Sequence, residues 1–333
     1  MVVIPCLNEK AHIGRLVDSV VQDSSSLDVL VVVADGGSTD GTLEAVRAIA
    51  DSEPRVRLIS NSKRIQSAGV NLATRTFGAG RRWLVRIDAH ADYPKGYISR
   101  LIEEAICTGA ASVVVAMTSR GDACFQRAAA VAQNSVLGAG GAAHRREGKA
   151  EFVDHGHHAL FDLKGFLAIG GYDETLSHNE DAEFDIRLAR AGGKIWLTRA
   201  VNIVYFPREK PGALFRQYMS YGRGRANTII RHRMRPKIRQ MLPACVLPAL
   251  FALAFAPWLP LAVGPVLVWT MACLLIGAAL GVRERGRCAY ASGLAAMIIH
   301  LGWSIGFWSE LTTVAFRAGD ALKGALPPRI ARS

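Results

Sequence analysis

The residue types able to do chemistry gather in a few short stretches of this 333-residue chain. In Val33-Ala34-Asp35-Gly36-Gly37-Ser38-Thr39-Asp40-Gly41-Thr42 a carboxylate ends an apolar run, and two glycines after it let backbone approach a planar ligand. A carboxylate so placed can accept a hydrogen from a base or a ribose. Ser38, Thr39 and Asp40 also suit the cap of a following helix. Asn8 and Glu9 close the earlier run Val2-Val3-Ile4-Pro5. Lys63 and Arg64 follow a third run, as charge-assisted donors to phosphate or base edges or as a solvated basic turn. Asp88 and His90 follow a fourth, and period-two spacing keeps them on one side if the strand continues. Further on, Ser177-x-x-Glu180 reads as a capping box, with Glu180, Asp181 and Glu183 in the first turn of a helix whose dipole favours acids there.

The elements that must position these groups are legible from hydrophobic period. Val2–Ile4, Val29–Ala34, Val56–Ile59, Trp83–Ile87 and Ser112–Met117 read as strands, and Ala11–Gln22, Thr42–Ala50, Gln66–Phe77 and Gly96–Thr108 as helices. Such alternation predicts βαβ units and a mostly parallel sheet, with ligands at the carboxyl ends of its strands. Val2–Pro5 reads as a strand that starts at once, not as the apolar region of a leader peptide.

Composition changes near residue 240. Half of the chain is apolar and the net charge is +12, which excludes a disordered chain and points to anionic partners. No nucleic-acid motif accompanies the charge, so nucleic acid is not an expected partner. The cysteines are scattered, with no C-x-x-C pair, which argues against a zinc ribbon or a disulfide framework. Met241 to Val282 carries no charged residue, enough for two membrane spans of about 20 residues each. The expected division is 1–209 as a catalytic domain, 210–240 as a basic amphipathic juxtamembrane segment, 241–316 as the membrane region and 317–333 as a basic tail. Within the membrane region, spans are expected at about 241–262 and 263–282. A weaker one is expected at 289–316, where His300, Glu310 and three glycines intervene and a re-entrant or interfacial path is the alternative. The basic flanks put both ends of a two-span arrangement in the cytoplasm.

Pro5-x-x-Asn8-Glu9, the Asp35–Thr42 turn and Asn61-Ser62-Lys63-Arg64-Ile65-Gln66-Ser67-Ala68-Gly69-Val70-Asn71 together resemble a family 2 glycosyltransferase. That family has the GT-A nucleotide-diphospho-sugar transferase fold, and the likeness is closest to the succinoglycan-biosynthesis glucosyltransferases of the ExoA type. The resemblance implies an α/β catalytic domain followed by transmembrane helices, and nucleotide-sugar binding by Pro5, Asn8, Glu9, Asp35, Lys63, Arg64 and Asp88. It implies a divalent ion, Mn²⁺ or Mg²⁺, at Asp88-Ala89-His90, where most members have Asp-x-Asp. Imidazole suits Mn²⁺, while Asp88 alone, or with Asp92, is the alternative. In Glu180-Asp181 the resemblance makes Asp181 the general base that deprotonates the acceptor, and inversion of the anomeric centre follows.

Leu214-Phe215-Arg216-Gln217-Tyr218-Met219-Ser220-Tyr221-Gly222-Arg223 resembles a family segment that would contact the acceptor or its lipid diphosphate through Gln217, Tyr221 and Arg223, with Glu180 on the same side. A basic anchor on anionic lipid is the plainer reading. Asp154-His155-Gly156-His157-His158 invites a metal reading, but three histidines in four residues cannot all point one way on a strand, so an acceptor-pocket or structural role is expected. The implied reaction moves a sugar, by this likeness glucose, from a UDP-sugar to a polyprenyl-diphosphate-linked sugar in exopolysaccharide biosynthesis. It would take place at the bacterial inner (cytoplasmic) membrane, with the catalytic domain in the cytoplasm. The alternatives are a polyprenyl-phosphate monosaccharide synthase and an inactive nucleotide-sugar-binding scaffold.

Overall fold

The computed structural model describes residues 1–140, 142, 145, 148–176 and 178–324, without the side chains of residues 239 and 317–324. The chain divides into two compact units, Met1–Pro207 and Arg208–Ser333.

The first unit holds strands β1 (Val2–Cys6), β2 (Val31–Asp35), β3 (Val56–Ser60), β4 (Trp83–Arg86), β5 (Ala91–Asp92), β6 (Ser112–Ser119), β7 (Glu151–Val153), β8 (His157–Asp162) and β9 (Ile195–Tyr205). Its helices are α1 (Lys10–Asp23), α2 (Thr42–Ser52), α3 (Gln66–Phe77), α4 (Tyr97–Thr108), α5 (Cys124–Gln133), α6 (Val136–Ala139), α7 (Leu163–Ala168) and α8 (Glu180–Arg190). All five expected strands and all four expected helices are present, with ends shifted by a few residues at most.

The strands form one sheet in the order β3-β2-β1-β4-β8-β6-β9-β5, with β7 also on β9. Strands β3, β2, β1 and β4 are parallel. Beyond them β8 runs antiparallel to both β4 and β6, and β9 is parallel to β6. The α/β class expected from the sequence holds, but the sheet is mixed rather than mostly parallel. The reason is that β8 enters between β4 and β6 antiparallel to both, and the short β5 and β7 pair antiparallel with β9. The order reverses at β1, which has β2 on one side and β4 on the other, and the crevice outside the carboxyl ends opens there.

Alternation splits the core between the two faces of the sheet. Val2, Ile4 and Cys6 pack with Ile13, Val17 and Leu101 on one face. Val3 and Val32 pack with Val70, Phe161, Phe166 and Phe184 on the other. Each is a period-two strand meeting a helical stripe.

The second unit is helical: α9 (Pro211–His232), α10 (Ile238–Ala244), α11 (Val246–Ala252), α12 (Gly264–Glu284) and α13 (Ser292–Gly324), with 3₁₀ turns at Leu253–Phe255, Pro260–Val263 and Arg287–Ala291. The span expected at about 241–262 is therefore not one helix. Pro243, Pro248, Pro257 and Pro260 each remove a backbone donor, and the run breaks into short pieces. Among the described residues two stretches are long and apolar enough to cross a membrane, Pro260–Glu284 and Arg287–Phe316. The segment that looked weakest, 289–316, falls inside the second of these and, from Ser292 on, belongs to α13. Of the tail expected at 317–333, residues 325–333 lie outside the described residues.

The glycines of that segment are packing devices. A Cβ on Gly302 would lie 2.6 Å from the Phe215 carbonyl oxygen, and one on Gly306 would collide with that of Met219. Gly222 on α9 meets the Trp303 carbonyl in the same way, and Gly277 on α12 meets Gly293 on α13. Small residues let helix backbones approach closely, the commonest device of helix pairing in lipid. Gly306→Ala should lower the stability of this unit by about 1–3 kcal/mol. Gly14→Ala on α1, where a Cβ meets open space, should not destabilise. Thermal melting of both variants in detergent checks the pair.

Candidate active site

The loops after β1 and β2 are zipped together. The Asn8 N–H donates to Ser38 Oγ at 2.8 Å, the Glu9 N–H to Thr42 Oγ1 at 2.9 Å and the Lys10 N–H to Asp40 Oδ2 at 3.1 Å. In return the Thr39 N–H donates to Asn8 Oδ1 at 2.8 Å. Asn8 has φ +58°, a left-handed conformation that asparagine tolerates better than most residues. Asp35 Oδ2 accepts from the N–H groups of Gly37 at 2.7 Å and Ser38 at 3.0 Å, so this carboxylate shapes its own turn. Pro5 sits inside β1, in register with Ala34. The cap expected from Ser38, Thr39 or Asp40 is instead Gly41, at φ +96°. Asp40 still serves the first turn by accepting from the Thr42 N–H at 3.0 Å.

Lys63 and Arg64 separate in the structure. The Arg64 guanidinium lies against Gly37, on the Asp35 turn. Lys63 Nζ instead donates to Glu174 Oε2 at 2.6 Å. Glu174 also accepts from Asn71 Nδ2 at 2.9 Å and from Arg75 at 3.1 Å. Although burial opposes its charge, Lys63, Asn71 and Arg75 hold its carboxyl down at about 2. This clamp fixes the Gly170–Glu174 segment to α3.

At the centre lies Arg86, the last residue of β4, 5% exposed. Its Nη2 is 3.3 Å from Asp88 Oδ1, and its Nη1 donates to Asp181 Oδ1 and lies 3.7 Å from Glu180 Oε1. Nη1 also donates to the Tyr172 hydroxyl at 3.2 Å. One buried guanidinium thus joins the Asp88 turn to the Glu180-Asp181 turn. Burial opposes the charge of Asp181, but Arg86 and His158 outweigh it and hold the carboxyl far below the usual range. Its neighbour Glu180 is pushed up to about 7 by burial and by the charge of Asp181. Helix α8 starts at Glu180, with Asn179 (φ +68°) as N-cap and no side-chain capping bond. Glu180 is therefore the first helical residue rather than the reaching-back partner of a capping box; Ser177 lies outside the described residues.

The histidine stretch belongs to this centre. His157 and His158 alternate on β8. His157 Nε2 is 3.4 Å from Asp88 Oδ2, and burial lowers its pKa to about 4, leaving a neutral imidazole. His158 Nε2 is 2.7 Å from Asp185 Oδ1, and its Nδ1 is 2.7 Å from the Tyr172 hydroxyl and 3.4 Å from Asp181 Oδ1. His155 Nδ1 reaches Asp185 Oδ2 at 2.8 Å. Burial disfavours a charged His158, but Asp185 and Asp181 raise its pKa.

Asp88 and His90 are not held on one strand, because β4 stops at Arg86 and both lie in the turn that follows. His90 Nδ1 is 3.4 Å from Glu9 Oε1 and its ring meets Tyr205 edge-on. Asp88 accepts from Gln66 Nε2 at 2.5 Å. Among the described residues no three metal-ligating side chains converge. The carboxylate–imidazole pairing at Asp88 fits an ion that takes one or two protein ligands and fills its shell with phosphate and water.

The second unit, taken by itself, places Gln217, Tyr221 and Arg223 along α9. Gln217 Nε2 donates to the Tyr221 hydroxyl at 3.1 Å, and Arg223 Nε to Ser309 Oγ at 3.3 Å.

Sequence reasoning singled out Asp88 and Asp181 but passed over Arg86, Tyr172 and Asp185. A signal for Arg86 was present: an arginine in an otherwise apolar strand, two residues before Asp88.

The model for the family described as glycosyl transferase family 2 matches residues 1–169. Succinoglycan biosynthesis protein ExoA of Rhizobium meliloti (strain 1021) is 50% identical over 313 residues, which cover 93% of this chain and 94% of that protein. Among solved structures, the mannosyltransferase PcManGT from Pyrobaculum calidifontis, in complex with GDP-Man and Mn²⁺, is similar with a TM-score of 0.54. The match is 20% identical and covers 90% of this chain and 86% of that one, a likeness of fold. With its GT-A-like sheet, its family match and a relative alike over nearly its whole length, the chain belongs to glycosyl transferase family 2 and is a glycosyltransferase.

Proposed function

We propose that this enzyme moves glucose from UDP-glucose to a polyprenyl-diphosphate-linked sugar at the cytoplasmic face of the bacterial inner membrane, with inversion. The observation that carries the mechanism is the Arg86 bridge between Asp88 and Asp181. It sets a donor-side carboxylate and an acceptor-side carboxylate around one fixed cation. The sugar and the lipid carrier are those that the family resemblance implies; the likeness to a succinoglycan biosynthesis protein supports a polysaccharide product, and the two span-length apolar helices support the membrane.

In this reading Asn8, Glu9, Asp35 and Arg64 shape the crevice that takes the nucleotide, with Pro5 fixing the strand end, while Lys63, expected beside Arg64, clamps Glu174 instead. Asp181, kept ionised by Arg86 and His158, accepts the proton of the attacking hydroxyl. Attack from the face opposite the leaving diphosphate inverts the anomeric carbon. Glu180, beside Asp181, faces the acceptor; in the second unit, Gln217, Tyr221 and Arg223 are the residues that the family resemblance gives to the acceptor or its lipid diphosphate. Asp88 would hold Mn²⁺ or Mg²⁺, with His90 or His157 as the imidazole ligand. When bound, the ion stabilises the negative charge that develops on the diphosphate.

The nearer of the two imidazoles to Asp88 is expected to matter more. His157→Ala should weaken Mn²⁺ binding by about 10–100-fold, and His90→Ala by less. Titration of Mn²⁺ by electron paramagnetic resonance, with UDP present, reads this directly. An equal or larger loss for His90→Ala would give His90 the ligand role.

The reaction is tested with membranes from cells expressing the chain, radiolabelled UDP-glucose, Mn²⁺ and a galactose-diphospho-polyprenol acceptor. Lipid-extractable label that depends on the acceptor supports the proposal. Label formed on polyprenyl monophosphate instead would make the enzyme a lipid-phosphate monosaccharide synthase.

A further inference from the structure

In the second unit, α9 and α13 run parallel. Gly302 meets Phe215 and Gly306 meets Met219, and Arg223 reaches Ser309. Helix α12 runs antiparallel to α13 on other contacts. Gly281 meets Tyr290 and Gly277 meets Gly293, while Trp269 Nε1 donates to His300 Nδ1 at 3.1 Å. These pairings fix the level of every charge along the α13 axis.

Helix α9 begins beside Arg208, Glu209 and Lys210, all exposed. Lys210 precedes Phe215 by five residues and so lies level with a point about five residues before Gly302. The turn between α12 and α13 carries Arg283, Glu284, Arg285 and Arg287, also exposed. About ten helical residues separate these two levels. At 1.5 Å per residue that is about 15 Å, half of the ~30 Å hydrocarbon core. If α12 and α13 crossed the bilayer, one of the two charged groups would lie near its middle, where charges are rare and expensive. Arg223 and Glu310 stand at one level near the other end of the same contact, so charge recurs along the axis. Apolar side chains cover the remaining surface: Phe251, Trp258, Leu261, Leu267 and Val268 are all exposed. Helix α12 buries only its Cys273-Gly277-Gly281 stripe.

We infer that this unit is a one-leaflet anchor. Helices α10 to α12 sink into the acyl region of the cytoplasmic leaflet, and the hairpin of α12 and α13 does not cross. The cations of α9 and the Arg283–Arg287 turn share one headgroup face, where they meet anionic lipid. The inference rests on the reading of the unit as membrane-bound.

The test is topological. Glu284→Cys and, as an independent variant, Gly286→Cys each add one thiol to the turn of the full-length chain. A membrane-impermeant polyethylene glycol maleimide should add one mass step beyond the wild-type pattern in inside-out vesicles and none in intact spheroplasts. An extra step in intact spheroplasts, from either variant or from Trp258→Cys before the other end of α12, would mean that the helices cross, and no extra step from the turn variants in either preparation would put the turn inside the bilayer. Both results overturn the one-leaflet anchor. Recovery of the unmodified chain in the soluble fraction of a lysate would instead overturn the membrane reading itself.

Discussion

Asp181→Asn should cut sugar transfer by roughly 10²–10⁴-fold and leave UDP affinity nearly unchanged. Asparagine keeps the shape of the side chain and can still accept from Arg86, so the Asp88 side of the bridge is disturbed little. What disappears is the lone pair able to take the acceptor's proton at neutral pH. The neighbouring acid gives the test its edge. Glu180 sits at about 7 in the wild type, partly because Asp181 is charged beside it. Removing that charge, and leaving Arg86 with one carboxylate fewer, both lower the Glu180 pKa. If Glu180 were the true base, the variant would keep most of its rate at neutral pH. In the wild type, Asp181 as base gives a kcat without a one-proton acid limb near pH 7, because its carboxyl stays ionised far below that pH. A limb near 7 would transfer the role to Glu180. Collapse of UDP binding in the variant would remove Asp181 from the acceptor side altogether.

Arg86→Met should be the most damaging change outside the reacting atoms. Methionine fills much of the volume but leaves Asp88, Glu180 and Asp181 without their shared cation. Breaking a buried pair from one side costs about 3–5 kcal/mol, which in a chain of this size lowers the melting temperature by roughly 6–20 °C. The pH dependence follows from the sign of the shifts. In the wild type, Arg86 depresses the pKa values of Asp88 and Asp181. That contribution is present above the unfolded-state pKa near 4 and fades as pH falls below it. Without Arg86 the same acids are raised by burial, so the variant is worst at neutral pH and recovers toward acid as they protonate neutral. Melting curves of both proteins at pH 7.5 and 5.5 should show the gap narrowing. A gap independent of pH would mean that the loss is one of packing.

The parallel half of the fold was legible because its strands are uninterrupted apolar runs and its helices keep a clean 3.6-residue period. β8 was not, because His157 and His158 open it and polar residues erase the period-two signal. The same two histidines face opposite ways for opposite ends, one toward Asp88 and one toward Asp185, which no spacing rule reveals. The Asp88–His90 pairing depended on the strand running on to residue 90, but it ends at Arg86. Glycines in α13 counted against a helix by propensity, but the close approach of α9 and α12 overrides propensity where backbones touch. The zipped loops after β1 and β2 were visible as motifs, whereas their mutual hydrogen bonds needed the fold.

The place of β8 in the sheet orders events during synthesis. It leaves the ribosome after β4 and β6, yet lies between them and pairs with both. Until it arrives, β4 has no partner on its far side and β6 cannot join the parallel strands. A nascent chain that ends before residue 157 can build the zipped loops after β1 and β2 but lacks His157, His158 and the Asp181 turn. Closing the long loop to β8 is costly in chain entropy and slow for that reason, and only after it can the Asp181 turn reach Arg86 and β9 pair with β6 and β5. The Arg86 centre is therefore assembled only as the sheet nears completion, and a half-made chain has no such centre.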